Sequence, residues 1–295
     1  MLIRLGIDLG GTKIEIAALD SEGSIVERIR VSTPDGDYEA TLRVMCDLVR
    51  GVEKSLGQEG TVGIATPGSI SPRSGLLRNS NSVCLNGRPF KQDLEAMLGR
   101  KVRIENDANC FALSEAADGA GEGASVIFGV ILGTGVGGGL VIGGNVLRGA
   151  NAVAGEWGHN PLPWARPDEL PGRACFCGHS GCIETFLSGP GLAADYLQAG
   201  ETALAGEEIV ARAMGGDAAS LATLARYEDS LARSLASVIN VVDPDVIVLG
   251  GGLSNVRRWY DTVPTLWGKY ILSDVIRTRL VPHMHGDSSG VRGAA

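Results

Sequence analysis

Residues 2–19 read Leu2-Ile3-Arg4-Leu5-Gly6-Ile7-Asp8-Leu9-Gly10-Gly11-Thr12-Lys13-Ile14-Glu15-Ile16-Ala17-Ala18-Leu19. The run 2–9 is apolar and short, Gly10-Gly11-Thr12 interrupts it, and 13–19 resumes an alternating pattern. Ser21-Glu22-Gly23 then turns the chain into a third strand over 24–31, so the protein opens as an antiparallel meander. The same order returns in the second half of the chain. Residues 125–132 form an apolar strand, Gly133-Thr134-Gly135 a turn, and 139–142 a second strand. Two copies of one strand–turn–strand device predict an α/β protein with two related lobes facing a shared cleft.

The remaining pattern fills in around these copies. Leu42, Met45, Val49 and Val52 recur on one face of a helix over 38–56. A buried strand over 61–65 ends at Thr66-Pro67-Gly68, and a strand over 102–105 feeds a helix at 107–117. Gly119 to Gly123 reads as a hinge, which places a first lobe at 1–118 and a second at 119–295, with the last helix packing back on the first lobe. Leu221, Leu224, Leu231, Leu235, Val238 and Val242 mark a long helix that Asp243-Pro244 stops. A strand over 246–249 runs into Gly250-Gly251-Gly252.

The chain has 295 residues, 44% of them apolar, enough for one large or two ordinary domains. Its net charge of −8 argues against a nucleic-acid surface. Glycine is frequent (43 residues) and clustered between apolar runs, the pattern of tight turns and close backbone approach. No apolar run reaches the length of a membrane span, and the start lacks the h-region of a signal peptide. Six cysteines in a chain this long do not form a secreted disulfide framework, so the expected compartment is the cytoplasm.

Three chemistries stand out. Gly133-Thr134-Gly135-Val136-Gly137-Gly138 matches G-x-G-x-x-G, but a strand follows it, whereas a dinucleotide fingerprint opens a helix. The turns at 10–12, 133–135 and 250–252 read either as tight hairpins or as backbone cradles for phosphates and a nucleoside. Asp8 is either a turn cap or the holder of a magnesium ion through water. Glu105-Asn106-Asp107 lies where a strand yields to a helix, so Asp107 is either a first-turn acid or a base that takes a proton from a substrate hydroxyl. Cys175-Phe176-Cys177-Gly178-His179-Ser180-Gly181-Cys182 offers three thiols, and Gly155-Glu156-Trp157-Gly158-His159 offers an imidazole, together the makings of a tetrahedral zinc site.

Taken together, Asp8 to Lys13, Glu105 to Asn109, Leu132 to Gly139, Gly155 to His159, Cys175 to Glu184 and Leu249-Gly250-Gly251-Gly252-Leu253-Ser254 resemble the ROK family of sugar kinases and sugar-responsive repressors. The resemblance covers essentially the whole chain. It implies an actin/hexokinase-like (ribonuclease H-like) two-lobed fold with a central cleft, ATP and Mg2+ as cosubstrate and cofactor, a structural Zn2+, and a homodimer. Within the family the chain looks most like the bacterial fructokinases, on Pro67-Gly68-Ser69-Ile70-Ser71-Pro72, Leu85-Asn86-Gly87-Arg88-Pro89-Phe90 and the run from Gly155 to Trp164. That makes D-fructose the expected substrate, phosphorylated at its 6-hydroxyl, with mannose or glucose as further substrates and N-acetylglucosamine as the second reading. Residue by residue, the resemblance makes Asp107 the catalytic base. It makes Asn81, Asn106, Glu156, His159 and Glu184 sugar contacts, and His159, Cys175, Cys177 and Cys182 the zinc ligands. It puts Asp8, Gly10, Gly11, Thr12, Lys13, Gly133, Thr134 and Gly135 on the phosphates and Gly250, Gly251 and Gly252 on the adenosine side. The repressors of the family carry a helix-turn-helix domain before the first strand, for which this sequence leaves no room. A silent sugar-binding regulator and an actin-like ATPase are the alternatives outside sugar phosphorylation.

Overall fold

A computed structural model describes residues 3–295, apart from the side chain of Asp287; Leu2, expected at the start of the first strand, lies outside the described residues. The first half runs β1 (Ile3–Leu9), β2 (Lys13–Leu19), β3 (Ile25–Ser32), α1 (Tyr38–Leu56), β4 (Gly60–Thr66), the short pair β5 (Ser69–Ile70) and β6 (Leu77–Arg78), α2 (Phe90–Leu98), β7 (Arg103–Asn106) and α3 (Asp107–Asp118). It continues with β8 (Val126–Leu132), β9 (Val136–Ile142), β10 (Asn145–Val146), α4 (Glu184–Leu187), α5 (Gly189–Gln198), α6 (Gly206–Met214) and α7 (Ala218–Val242). β11 (Val246–Gly250), α8 (Arg258–Trp267), β12 (Arg279–Pro282) and α9 (Ser289–Ala294) complete the chain.

Contacts gather the chain into two compact units. The first holds Met1–Glu115, Val146–Ala154 and His285–Ala295; the second holds Ala116–Asn145 and Gly155–Met284. The first unit thus takes in the end of the chain, whose last helix was expected on the first lobe, and also a short excursion at 146–154 from beyond the expected boundary at 118.

The first unit is built on a five-stranded sheet of order β3-β2-β1-β4-β7. β1 pairs antiparallel with β2 and parallel with β4, and β4 pairs parallel with β7. α1 buries Leu42, Met45, Val49 and Val52 against Leu5, Ile7, Ile14 and Ile16 of the sheet, the stripe its periodicity predicts. Asp37 caps its start by accepting from the Ala40 N–H, and Gly57 closes its end in the left-handed region at φ 68°. On the other face of the sheet lies α9. Val291 packs with Ala17 and Leu19, and Gly6 and Gly63 admit its backbone: a Cβ on Gly63 would land on the Ala294 carbonyl.

The second unit repeats the plan, with order β10-β9-β8-β11-β12, an antiparallel β8–β9 hairpin and parallel β8–β11–β12 pairing. β9 begins at Val136, three residues before the expected strand. Its glycines are strand residues because the chain beyond them lies on the sheet: a Cβ on Gly138 would collide with the Gly155 carbonyl and the Trp157 ring. α7 buries Leu224, Leu231 and Leu235 in a core with Phe128, Val130, Ile247, Leu249 and Trp259. Its C-cap is Asp243, in the left-handed conformation at φ 51° ahead of Pro244. Among the described residues no helix is long and apolar enough to cross a membrane.

Candidate active site

In the first unit the candidate residues lie at the C-terminal ends of the parallel strands, where α/β sheets bind ligands. Asp8, Ala65 and Glu105 are register partners across β1, β4 and β7, so Asp8 and the Glu105-Asn106-Asp107 step meet at one edge of the sheet. Burial, first, and the charge of Asp107, second, push the Asp8 carboxyl up to about 7; Glu15 adds to the rise, while Lys13 and Arg30 oppose it. After Asp8 the chain turns through Gly10, Gly11 and Thr12. The Gly10 N–H donates to the Lys13 carbonyl at 3.0 Å, and Thr33, just past the end of β3, holds the turn through its hydroxyl to the Gly10 carbonyl at 2.8 Å. Gly11, Thr12 and Lys13 are exposed.

Asp107 is the first residue of α3, and its Oδ1 accepts from the Ala108 N–H at 2.8 Å. Asn106 is committed to holding this step. Its Oδ1 accepts from the N–H groups of Ala108 (2.9 Å) and Asn109 (3.3 Å), capping the helix, and its Nδ2 donates to the Gly68 carbonyl at 3.2 Å. Gly68 itself needs its φ of 78°, because the backbone of Asn79 and Ser80 passes directly over it. That crossing brings the loop bearing exposed Asn81 to the same edge, and Asn86 fastens the loop with two hydrogen bonds to the Ser80 backbone at 2.8 and 2.9 Å.

In the second unit, β8 and β11 run parallel and end side by side, so the turn at 133–135 and the turn at 250–252 are neighbours. Gly251, at φ 81°, lies against the Leu132 backbone so closely that any side chain would clash. Glu184 then joins two regions. Its Oε2 accepts from the Val136 N–H at 2.9 Å, and its Oε1 lies 3.9 Å from Cys175 Sγ. Gly189 reinforces the join by donating its N–H to the Gly133 carbonyl at 2.8 Å. The 156–159 turn packs on the same strand, with the Trp157 indole donating to the Gly137 carbonyl at 3.0 Å, and leaves Glu156 exposed.

His159, Cys175, Cys177 and Cys182 converge, their ligand atoms all within 4.8 Å of one another. Cys177 and Cys182 Sγ are 3.6 Å apart, and His159 Nδ1 is 3.6 Å from Cys175 Sγ. Ligands about 2.3 Å from a shared tetrahedral ion stand about 3.7 Å apart, so the donors are spaced and chemically suited for such an ion. The backbone and imidazole of His179 hold the Cys177 thiol down at about 6, whereas burial pushes Cys175 up and Cys182 up to about 12. With Nδ1 of His159 turned to the thiols, Nε2 is the nitrogen that remains for a second partner.

Residues 4–295 match the model of the ROK family. The chain belongs to the ROK family. An N-acetyl-D-glucosamine kinase of Yersinia enterocolitica is 39% identical over 294 residues, spanning 98% of this chain and 97% of its own. The crystal structure of the ROK hexokinase from Thermus thermophilus superposes with a TM-score of 0.88 at 31% identity, over 100% of this chain and 97% of that one. A ROK glucokinase from Streptomyces griseus, in complex with glucose and AMPPNP, gives a TM-score of 0.81 at 28% identity, over 99% and 98% of the two chains.

Two features of this ROK protein escaped the sequence reading. His179 touches Cys177 (Nδ1 to Sγ, 3.5 Å) from inside the quoted cysteine loop, a neighbour that sequence spacing could have flagged. Arg148, on the excursion 146–154, pairs with Glu105 beside the Asn106-Asp107 step. No local motif announces it, because the two residues are distant in sequence and meet only through the fold.

Proposed function

We propose that this protein is an ATP-dependent sugar kinase that phosphorylates the 6-hydroxyl of N-acetyl-D-glucosamine. The near full-length identity to an N-acetyl-D-glucosamine kinase carries the choice of sugar. It reverses the order given by the motifs alone, which put fructose first. The AMPPNP bound to a ROK relative supports ATP as the donor.

In this reading Asp107 accepts the proton of the attacking hydroxyl, and the start of α3 fixes the direction from which it does so. Asn81, Asn106, Glu156, His159 and Glu184 bind the sugar. The Nδ2 of Asn106 and the Nε2 of His159 are suitable donors for hydroxyl or amide oxygens. The backbone of Gly10, Gly11, Thr12, Gly133, Thr134 and Gly135, with Lys13, binds phosphate oxygens, and Gly250, Gly251 and Gly252 flank the adenosine. Asp8 would hold a magnesium ion, which would supply positive charge for the phosphoryl group in transfer. The half-buried Asp8–Asp107 pair fits that role, since a cation there would relieve the repulsion between the two carboxyls. His159, Cys175, Cys177 and Cys182 hold zinc, which orders the loop carrying Glu184 and the segment carrying Glu156. As expected for the family, two copies assemble into a homodimer.

The test is an ADP-release assay with N-acetylglucosamine, fructose, mannose and glucose. N-acetylglucosamine should give the highest kcat/KM. A higher value with fructose restores the first reading, and ADP release that no sugar stimulates overturns the kinase.

A further inference from the structure

Glu105 divides its carboxylate between two duties. Its Oε1 accepts from the Asn106 N–H at 3.0 Å and from Asn109 Nδ2 at 2.9 Å, binding the strand end to the first turn of α3. Its Oε2 takes the guanidinium of Arg148. Arg148 arrives from the excursion 146–154, which groups with the first unit although the chain on both sides of it belongs to the second. The excursion is anchored once more, by Arg78 Nη2 donating to the Asn151 carbonyl at 2.6 Å, and it closes on itself where the Ala154 N–H donates to the Arg148 carbonyl at 3.3 Å. The next residues, Gly155 and Glu156, begin the segment that leads to His159.

We propose that Arg148 is a positioning residue for phosphoryl transfer: by holding Glu105 it fixes the Asn106–Asp107 entry to α3. The proposal rests on the kinase reading and on Asp107 as its base. The physical case is one of leverage. Arg148 is well exposed (64% of its side chain), and an exposed ion pair contributes little to stability. Glu105, however, stands next to Asn106 and two residues from Asp107. Losing its partner on Oε2 frees the carboxylate to rotate and loosens its grip on Asn106 and Asn109. A displacement of about 1 Å at a reacting group can cost about 100-fold in rate. Arg148 is also a cation in an acidic corner. The buried thiol of Cys110, on α3, is raised chiefly by burial, then by Glu105, Asp107 and Asp8, while Arg148 opposes them. The other charges around Asp8 are Glu15, Lys13 and Arg30.

The experiment compares Arg148→Ala, Arg148→Lys and Glu105→Gln with wild type in steady-state kinetics and thermal melts. Arg148→Ala should lower kcat by about 10-fold, with Tm within about 2 °C of wild type and KM for ATP unchanged. Arg148→Lys, which keeps the charge but not the fork, should recover part of the loss. The double variant Arg148→Ala/Glu105→Gln should be no slower than the worse single variant, because both act through one contact. A wild-type kcat for Arg148→Ala in an active enzyme overturns the role of Arg148 alone. So does a kcat loss that follows a fall in Tm and is not recovered by lysine. A wild-type protein inactive on every sugar overturns the kinase reading, and this proposal with it.

Discussion

Asp8 and Asp107 share one corner of the first unit, and the consequences differ for the two. Asp8 is a carboxyl raised to about 7 from the usual 3.8, chiefly by burial. A raised acid pKa means that the folded protein keeps a proton the unfolded chain releases, so stability is lost as pH climbs from about 4 to about 7. Asp8→Asn should therefore be more stable than wild type at pH 8 by on the order of 2 kcal/mol in the absence of magnesium, and should match it near pH 4. Urea unfolding at the two pH values checks this, and equal stability at pH 8 would contradict the strained environment of Asp8. Asp107→Asn keeps the shape of the site and loses the base. Turnover should fall by two to four orders of magnitude, the range typical of general-base removal, while calorimetry still detects sugar binding. Near-normal turnover would remove Asp107 from the mechanism. At this scale Asp107 stood out only by its place at a strand-to-helix step, which suits a first-turn acid as well as a base; the role of base came from the family resemblance. Nothing in the sequence told that the oxygen of Asn106, expected as a sugar contact, is already occupied by the helix it caps.

At the scale of elements, long periodic segments could be read from sequence and glycine-rich ones could not. α1 and α7 declared themselves through apolar spacing, and β1, β4, β8 and β11 through short apolar runs. β9 was placed late because three successive glycines have no intrinsic strand preference; their fit beneath the 155–157 backbone makes them strand. α2, α5, α6, α8 and β12 are short and were not foreseen. The α9 contact yields a prediction at this scale. Gly63→Ala puts a methyl group on the Ala294 carbonyl and should cost about 1–3 kcal/mol, seen as a lower Tm, whereas Gly51→Ala on α1, with open space around it, should be neutral or slightly stabilising. Equal melts for the two would mean that α9 yields easily. The cysteine loop yields another. Elemental analysis should find one zinc per chain, Cys177→Ser should release most of it, and metal-stripped protein should melt at lower temperature. Stoichiometric zinc retained in Cys177→Ser would exclude Cys177 from the ligand set.

Across the whole molecule the repeat is the organising fact. Two sheets share one strand order, each with a glycine turn inside its hairpin, and that much could be read from two copies of a strand–turn–strand pattern. The path between the copies could not be read. The first unit takes both 146–154 and 285–295 from the far half of the chain; the last helix was expected there, but the excursion 146–154 is disclosed only by tertiary contacts. The position of α9 also has a consequence for biosynthesis. The helix that covers β1 and β4 is translated after the whole of the second unit, so the earliest strands to leave the ribosome wait for one of the last segments. At about 5–20 residues per second the wait is on the order of ten to fifty seconds. During that interval one face of the first sheet, with Ala17 and Leu19, stands uncovered. A nascent chain of this protein therefore leaves that face without its covering helix until translation has passed Val291, however stable the finished molecule is.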